Sequence, residues 1–565
     1  MVNPIPESVK KTWDNWNIRG VILFSLLLQT VLILLAPLRK GMGYKLIILL
    51  IWSAYLLADS AATFAIGLIA ERATNSQTPT KSNELLVLWA PFLLLHLGGP
   101  DTITAFALED NELWLRQLFG LIFQAGFTFY VFLLSLPGNK LFVPTILVFI
   151  AGIIKCFERT LAMYLASGEK FRESTIIELA KDVKVNQGGD YLQVACEYFQ
   201  IFRGIVVDLF SNFTDFPFEG PSFGIFGPED ALRIIEVELN LVYEVLHTKI
   251  QVTHSVTLWF ICFGSLVAAL SVFYFQVEKH GLNDFDLGVT YTLFLGGIAL
   301  DIIAFFMGNF SEWTFAAFRN HPNSCIVRII RRFLNFKNSR WQSSHTGGKH
   351  DVFVFATPFL LRRWSGSVSG LSAIKAHQSK RIIKFLQIDK IIACFGLADF
   401  ANEIRIKTSL SQEPLTKELW VFIFNEIKRK SKNGDEIRRK AESGQDPEIN
   451  DPEENVGLET LRDEAKFCFQ GKISPATRAK LNSSVNSMPL DQAKRMVDRL
   501  QSLDYLKDKK WEIVSKVWVE LMSYAACHSR STRTHVEQVS NGGELFTFVW
   551  VLMAHFGLLE PKSED

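Results

Sequence analysis

Paired cysteines are missing from this sequence. The seven it has (Cys156, Cys196, Cys262, Cys325, Cys394, Cys468 and Cys527) are scattered, with no spacing for a zinc site or a disulfide framework. An excess of charge is missing too. Against 59 lysines and arginines stand 58 aspartates and glutamates, so no global field argues for nucleic acid as a partner. There is no P-loop, dinucleotide fingerprint, Gly-x-Ser-x-Gly elbow or His-Glu-x-x-His pair, which argues against the common enzyme classes. Cys527, His528 and His535 do not stand at a recognised metal spacing, and neither a metal nor a cofactor is expected. No small-residue cleavage site follows the first apolar run, so that run reads as a retained span and not as a leader.

What the chain has instead is apolar length. It carries 47 phenylalanines in 565 residues, and its mean hydropathy is positive. Apolar runs occupy residues 20–37, 46–70, 85–97, 117–137, 141–154, 255–275 and 287–308. The expected fold is all-α: a polytopic helical membrane protein of about seven spans, followed by a mostly helical cytosolic C-terminal region.

The third run organises the rest. Its thirteen apolar residues, 85–97, cover roughly 20 Å at about 1.5 Å per residue, short of the roughly 30 Å hydrocarbon core. Gly98, Gly99 and Pro100 then break it. The expectation is a helix that restarts on Asp101 to finish the crossing, with Asp101 beside free N–H groups at a positive helix end. Broken helices at membrane depth are tolerated only when buried in protein or lining a wet cavity.

The same stretch, WAPFLLLHLGGPDTITAFALEDNELWLR, resembles the opening signature of a plant membrane family, domain of unknown function 4220. GIIKCFERT (152–160), YEVLHTKI (243–250) and VTYTLFLGGIALD (289–301) resemble it further. VWVELMSYAA (517–526) and GGELFTFVWVLMAHFGL (542–558) are similar to its usual partner, domain of unknown function 594. The resemblance implies a polytopic plant membrane protein with no assigned activity. The chain departs from the pattern in lacking a hydrophobic block built around Trp-His and Ala-Thr, which implies a shortened C-terminal domain.

Reading along the chain gives six regions. Residues 1–17 form a short tail, and 18–310 a transmembrane bundle with a long cytosolic loop at 167–251. Residues 311–349 form a basic membrane-surface segment, and 350–430 a cytosolic helical region. A charged, disordered linker at 431–460 leads to a C-terminal helical domain, 461–565. Within that last domain, Trp511, Val514, Trp518, Leu521 and Ala525 make a helical stripe expected to be core. Basic residues after the first and last spans put both of those ends inside, the N-terminus outside and the C-terminus in the cytosol; if the third span fails to cross, six spans and a cytosolic N-terminus are the alternative. In SCIVRIIRRFLNF (324–336), Arg328, Arg331 and Arg332 share one arc and the apolar residues fill the other half. That pattern suits the anionic cytosolic leaflet, so the bilayer and its anionic lipid are the expected partners. RRWSGSVSG (362–370) reads as a basic turn, with Ser365 after two arginines in the pattern of a phosphorylation site.

Three spans carry their polar groups at one depth. Lys155 and Asp301 each follow the start of their apolar run by fourteen residues, and the Gly-Gly-Pro break follows its own by thirteen. All lie roughly 20 Å along their spans at about 1.5 Å per residue. A lone charge there costs at least about 2.5 kcal/mol, so Lys155 is expected to pair with Asp101 and Asp301. Glu158 and Arg159 lie a turn further on, Asp59 sits at another level, and His96 precedes the break. The favoured function is a membrane-anchored scaffold or signalling adaptor, with cytosolic proteins as its partners, because the soluble region is large and no catalytic motif exists. The alternative is a transporter or channel with a polar site at the broken helix. A hydrolase using His96, Asp101 and Glu109 ranks last, since no nucleophile accompanies them.

Overall fold

The computed structural model describes residues 7–41, 45–75, 81–134, 141–180, 190–209, 223–253, 256–276, 282–318, 324–344, 352–371, 410–442, 507–527 and 532–559. An apolar bundle comes first, with α1 (Glu7–Leu35), α2 (Lys45–Asn75), α3 (Lys81–Leu97), the short α4 (Leu108–Glu112), α5 (Trp114–Leu134) and α6 (Phe142–Ala166). Then α7 (Gly168–Leu179), α8 (Tyr191–Val206), α9 (Pro228–His247) and the single-turn α10 (Ile250–Thr253) leave the bundle. The chain returns to it with α11 (Val256–Gln276) and α12 (Asp284–Asn309). A head follows, with α13 (Glu312–Ala317), α14 (Cys325–Phe336), β1 (Trp341–Ser344), β2 (Val352–Phe355), β3 (Ser367–Leu371) and β4 (Leu410–Pro414). It ends with α15 (Lys417–Glu442), α16 (Lys507–Cys527), α17 (Thr532–Ser540) and α18 (Leu545–His555).

Helix ends follow the local sequence. The Asn283 side chain caps α12 by accepting from the Phe285 N–H, and Ser311 caps α13 by accepting from the Thr314 N–H. Pro228 opens α9, with Glu229 and Asp230 in its first turn, where negative charge meets the positive end of the helix.

Among the described residues, five helices are long and apolar enough to cross a membrane, within Trp16–Lys40, Leu46–Arg72, Trp114–Leu133, Thr257–Phe275 and Asp284–Asn309. Their inner faces meet α3 and α6 in one core that includes Ile22, Leu88, Trp89, Phe92, Ala151 and Phe294. Their outer faces stay apolar without protein cover: Leu46 and Phe275 are each 81 % exposed and Phe123 66 %. Such faces need lipid in place of water. α3 and α6 approach closely. A Cβ added at Gly98 would meet the Lys155 Cβ at 2.7 Å, and one at Gly152 the Leu95 nitrogen at 3.2 Å.

Several expectations change here. α1 already begins at Glu7, inside the expected tail. No helix restarts on Asp101, because residues 98–107 are turns and extended chain. The reason is competition for the backbone: the Thr104 N–H donates to the His247 carbonyl at 2.9 Å, and the Lys249 N–H to the Asp101 carbonyl at 3.2 Å. β-branched Thr102, Ile103 and Thr104 also disfavour the helix. The expected loop at 167–251 is largely helical, and α8 and α9 are buried along nearly their whole length. Its expected irregular centre at 213–228 lies mostly outside the described residues. The fold is mostly helical but not all-α. β1 pairs antiparallel with β2 and β3 with β4; β1 lies in the segment expected on the membrane surface and the other three strands in the region expected to be helical, of which residues 372–409 lie outside the described residues. α15 runs through Glu442 into the expected linker, the rest of which is not among the described residues.

The C-terminal stretch is not a separate domain. α8, α9, β2, α15, α16, α17 and α18 share one core, with Phe199, Phe202, Tyr243, Trp420, Phe424, Val519, Phe548 and Trp550 inside. In α16 the buried apolar residues are Val517, Val519, Met522 and Ala526, whereas Trp518 is 39 % exposed, so the expected stripe is rotated away from the core. The side chain of Trp511 is not among those described. The Arg362–Ser365 turn is likewise internal. The Ser365 N–H donates to the Gly542 carbonyl at 2.6 Å, and the Trp364 ring lies 4.1 Å from that of Phe548. A serine so bonded and buried is no phosphorylation site.

Bundle and head interlock. Buried Arg39, just past α1, donates to the carbonyls of Ser540 and Phe106, each at 2.6 Å. Asn111 donates to the Leu246 carbonyl at 2.9 Å, and His247 Nδ1 bonds the Ala105 carbonyl at 3.1 Å. The segment after the helix break is thus laid along the C-terminal end of α9.

Candidate functional site

The site starts from the break. Gly99 takes φ +68°, a conformation that suits glycine, and turns the chain out of α3. The turn presents Asp101 to two ammonium groups. Lys155 Nζ, on α6, lies 3.4 Å from Asp101 Oδ2 and 3.1 Å from Asp301 Oδ1 on α12. Lys249 Nζ lies 3.2 Å from Asp101 Oδ1 and donates to the Gly99 carbonyl at 2.8 Å. Glu158 Oε2 stands 3.6 Å from Lys155 Nζ. All five side chains are buried or nearly so, and that of Lys249 is wholly so.

Sequence positions thus resolve into two groups. Lys155, Asp101, Asp301 and Glu158 come together. Arg159 and Asp59 form their own pair, with Nη1–Oδ1 at 2.7 Å and Nη2–Oδ2 at 3.0 Å, while Arg159 also donates to the Leu97 carbonyl at 2.8 Å. His96 makes no ion pair among the described residues. Its Nδ1 lies 3.0 Å from Ser25 Oγ, and its Nε2 is buried without a hydrogen-bond partner. Among the described residues Asp301 Oδ2 and Glu158 Oε2 also lack a hydrogen-bond partner, the latter meeting Lys155 only as an ion pair. Glu109 is far from this chemistry in role: it is 61 % exposed in its side chain and pairs with Arg533 at 2.6 Å. A His96–Asp101–Glu109 hydrolytic arrangement therefore does not exist in this fold.

Sequence reasoning missed Lys249, Ser25 and Gln29. Lys249 lies in YEVLHTKI, two residues beyond the end of a helix buried on nearly every side, which is the place where a lysine needs a partner. Gln29 donates to the His96 carbonyl at 2.9 Å and holds the last turn of α3 against α1.

A cavity of about 50 Å³ lies among these groups, lined by Gln29, His96, Gly99, Asp101, Lys155 and Asp301. It has room for a few waters or one small ion. A second cavity of about 140 Å³ shares Asp101 and Ala304 with the first, and reaches Lys40, Glu244 and Asn309 on the head side. Beside it is another charge network. Glu312 meets Arg363 at 2.8 Å and Lys337 at 3.2 Å, and Asn240 donates to both Glu244 and Glu312 at 2.9 Å. Burial alone would raise Glu312, but Lys337, Arg363 and Lys40 hold it well below the usual carboxylate range. Burial and the neighbouring Glu312 push Glu244 up to about 7, against the pull of Lys40 and Lys337.

The arginines of α14 separate. Arg328 and Arg332 are exposed, whereas Arg331 turns inward to Asp190 at 3.8 Å and over the Phe315 ring at 5.6 Å. The apolar half of this helix separates as well: Val327, Ile330 and Leu334 are buried against the head, while Ile326, Ile329, Phe333 and Phe336 are exposed. Among the described residues no group of three His, Cys, Asp or Glu side chains is placed to hold a metal. His535 bonds the Ala526 carbonyl at 2.9 Å and stacks on Trp550 at 4.6 Å.

The family described as domain of unknown function DUF4220 matches over residues 52–375, and the one described as protein of unknown function DUF594 over residues 506–558. No curated protein and no solved structure matches the chain.

Proposed function

The chain belongs to the DUF4220 family, and from that premise we propose a multi-pass membrane protein whose buried polar site takes up a proton or a small monovalent cation, in the manner of a transporter or channel. One observation carries this reading. Three carboxyl groups (Asp101, Glu158 and Asp301) share two ammoniums, Lys155 and Lys249, beside a cavity. The separate Arg159–Asp59 pair balances itself. A net negative charge inside the bilayer is costly, and a proton or a cation removes it. The unbonded oxygens of Glu158 and Asp301 and the unbonded Nε2 of His96 supply the sites for either.

The topology that suits this function has seven spans, counting α3 and α6 with the five longer apolar helices. The ends of α1, α3, α6 and α12 all lead to the head, while α2, α5 and α11 start from it, as alternating crossings require. At about 1.5 Å per residue the apolar part of α3, residues 85–97, covers roughly 20 Å, and its polar first turn extends the helix to roughly 25 Å. The basic residues after α1 and α12 favour a cytosolic head and C-terminus.

The test is a fast change of pH, or of sodium or potassium, over proteoliposomes adsorbed on a sensor membrane. A transient current is expected from the wild type and a reduced one from Asp301→Asn. Silence under every pH and cation step would sink this reading. A second reading, a membrane-anchored adaptor, is favoured by the way residues 507–559 complete a head core fixed to the bundle through Arg39. Proximity labelling from the C-terminus should then return specific proteins, and a yield of bulk neighbours alone would count against it.

A further inference from the structure

The outer edge of α14 has a burial pattern that packing does not explain. At 100° per residue, buried Val327, Ile330 and Leu334 fall within one narrow arc facing the head core. Ile326, Ile329, Phe333 and Phe336 fall in an adjacent arc and are 61 %, 50 %, 38 % and 54 % exposed. Arg328 and Arg332 complete the turn on the side away from the core. The helix contains no acidic residue. A helix that needed only to pack would place polar side chains on its second face.

Position supplies the occupant. The Phe333 ring lies 5.1 Å from the ring of Phe310, which closes the C-terminus of α12, a helix long and apolar enough to cross a membrane. The exposed edge therefore begins where a span ends. Beyond it, Arg340 donates to the Phe336 carbonyl at 3.0 Å, its guanidinium 4.5 Å from the Phe336 ring centre, so a further cation continues the edge.

We propose that α14 is a lipid-docking helix whose exposed edge (Ile326, Ile329, Phe333 and Phe336) enters the headgroup layer of the leaflet in which α12 ends, with Arg328 and Arg332 binding the headgroups of anionic phospholipid. The buried stripe of α14 fixes its other side to the head, so docking holds the head against the bilayer at a second point besides the spans. Arg331 takes no part, because it is turned to Asp190 and Phe315.

The full chain tests this in nanodiscs of phosphatidylcholine alone or of phosphatidylcholine with phosphatidylserine. An environment-sensitive fluorophore is placed on Ile329→Cys in a Cys325→Ser background, and quenching by brominated acyl chains is read. Strong quenching is expected in the phosphatidylserine discs. An arginine near an anionic surface contributes about fivefold, so Arg328→Gln with Arg332→Gln should lower the docked-to-undocked ratio roughly 25-fold. These residues are exposed, so the double variant keeps its fold. Absence of quenching in both discs overturns the proposal. A buried label that brominated lipid does not quench overturns it as well, and marks a protein partner or a second copy of the chain.

Discussion

Removing the Lys249 ammonium is the sharpest perturbation of the buried cluster. Its side chain is 0 % exposed, 3.2 Å from Asp101 and bonded to the Gly99 carbonyl at 2.8 Å. Lys249→Met keeps most of the volume and leaves Asp101, Glu158 and Asp301 with the single ammonium of Lys155. Breaking a buried pair by deleting one partner costs about 3–5 kcal/mol, because the remaining charge stays buried. At about 2 °C per kcal/mol that is a fall of roughly 6–10 °C in the melting midpoint, read in nanodiscs by intrinsic fluorescence. Adding Asp101→Asn removes the stranded charge and should recover at least about half of the loss, as a coupled pair requires. If Lys249→Met melts with the wild type, or if the two losses simply add, the cluster is not a coupled set and the argument for a shared-charge site falls.

Four more outcomes are expected. Lys155→Met should destabilise the bundle by about 3–5 kcal/mol and be partly rescued by Asp301→Asn, measured in the same melts. Gly98→Ala should lower the melting midpoint and weaken any cation response, since its Cβ would meet the Lys155 Cβ at 2.7 Å. Glu244 binds its proton more tightly folded than unfolded, so it stabilises the fold as pH falls through about 7 and weakens it above. Glu244→Gln should therefore raise the midpoint at alkaline pH, and the gain should fade as pH drops below 7. Arg363→Met should cost about 3–5 kcal/mol by stranding Glu312, seen as early melting of the head or as faster proteolysis between the bundle and α18.

How much of this was legible in the sequence depends on the physics of each part. Lys155, Asp101 and Asp301 could be brought together on paper because rise per residue converts position into depth, and a buried charge demands a partner. Lys249 could not, because it lies beyond a polar stretch whose helices point back into the protein. The helical periodicity of residues 231–250 is written in the sequence, but nearly every position of α9 is buried, polar ones included, so the pattern does not tell which groups its end would meet. The non-helical path after Gly99 was equally hidden. It depends on His247 and Lys249, more than 140 residues away, offering backbone partners that compete with a helix. The α14 pattern was half legible: its polar arc is written in the arginines, but the division of its apolar residues between protein and outside depends on where the head core stands.

The head core also imposes an order of events on synthesis. α8 and α9 leave the ribosome soon after α6, yet the faces they bury are covered by α16, α17 and α18, which end at His555, more than 300 residues after α9. At 5–20 residues per second that is a wait of roughly 15–60 s. During it, Phe202, Val242 and Leu246 stand uncovered beside newly inserted spans. Arg39, made before any of them, receives its last partner, the Ser540 carbonyl, near the end. α16, α17 and α18 thus act as a latch on a half-built molecule, and a chain that stops before them leaves the ribosome with the apolar faces of α8 and α9 open to chaperones and to the membrane's quality-control proteases.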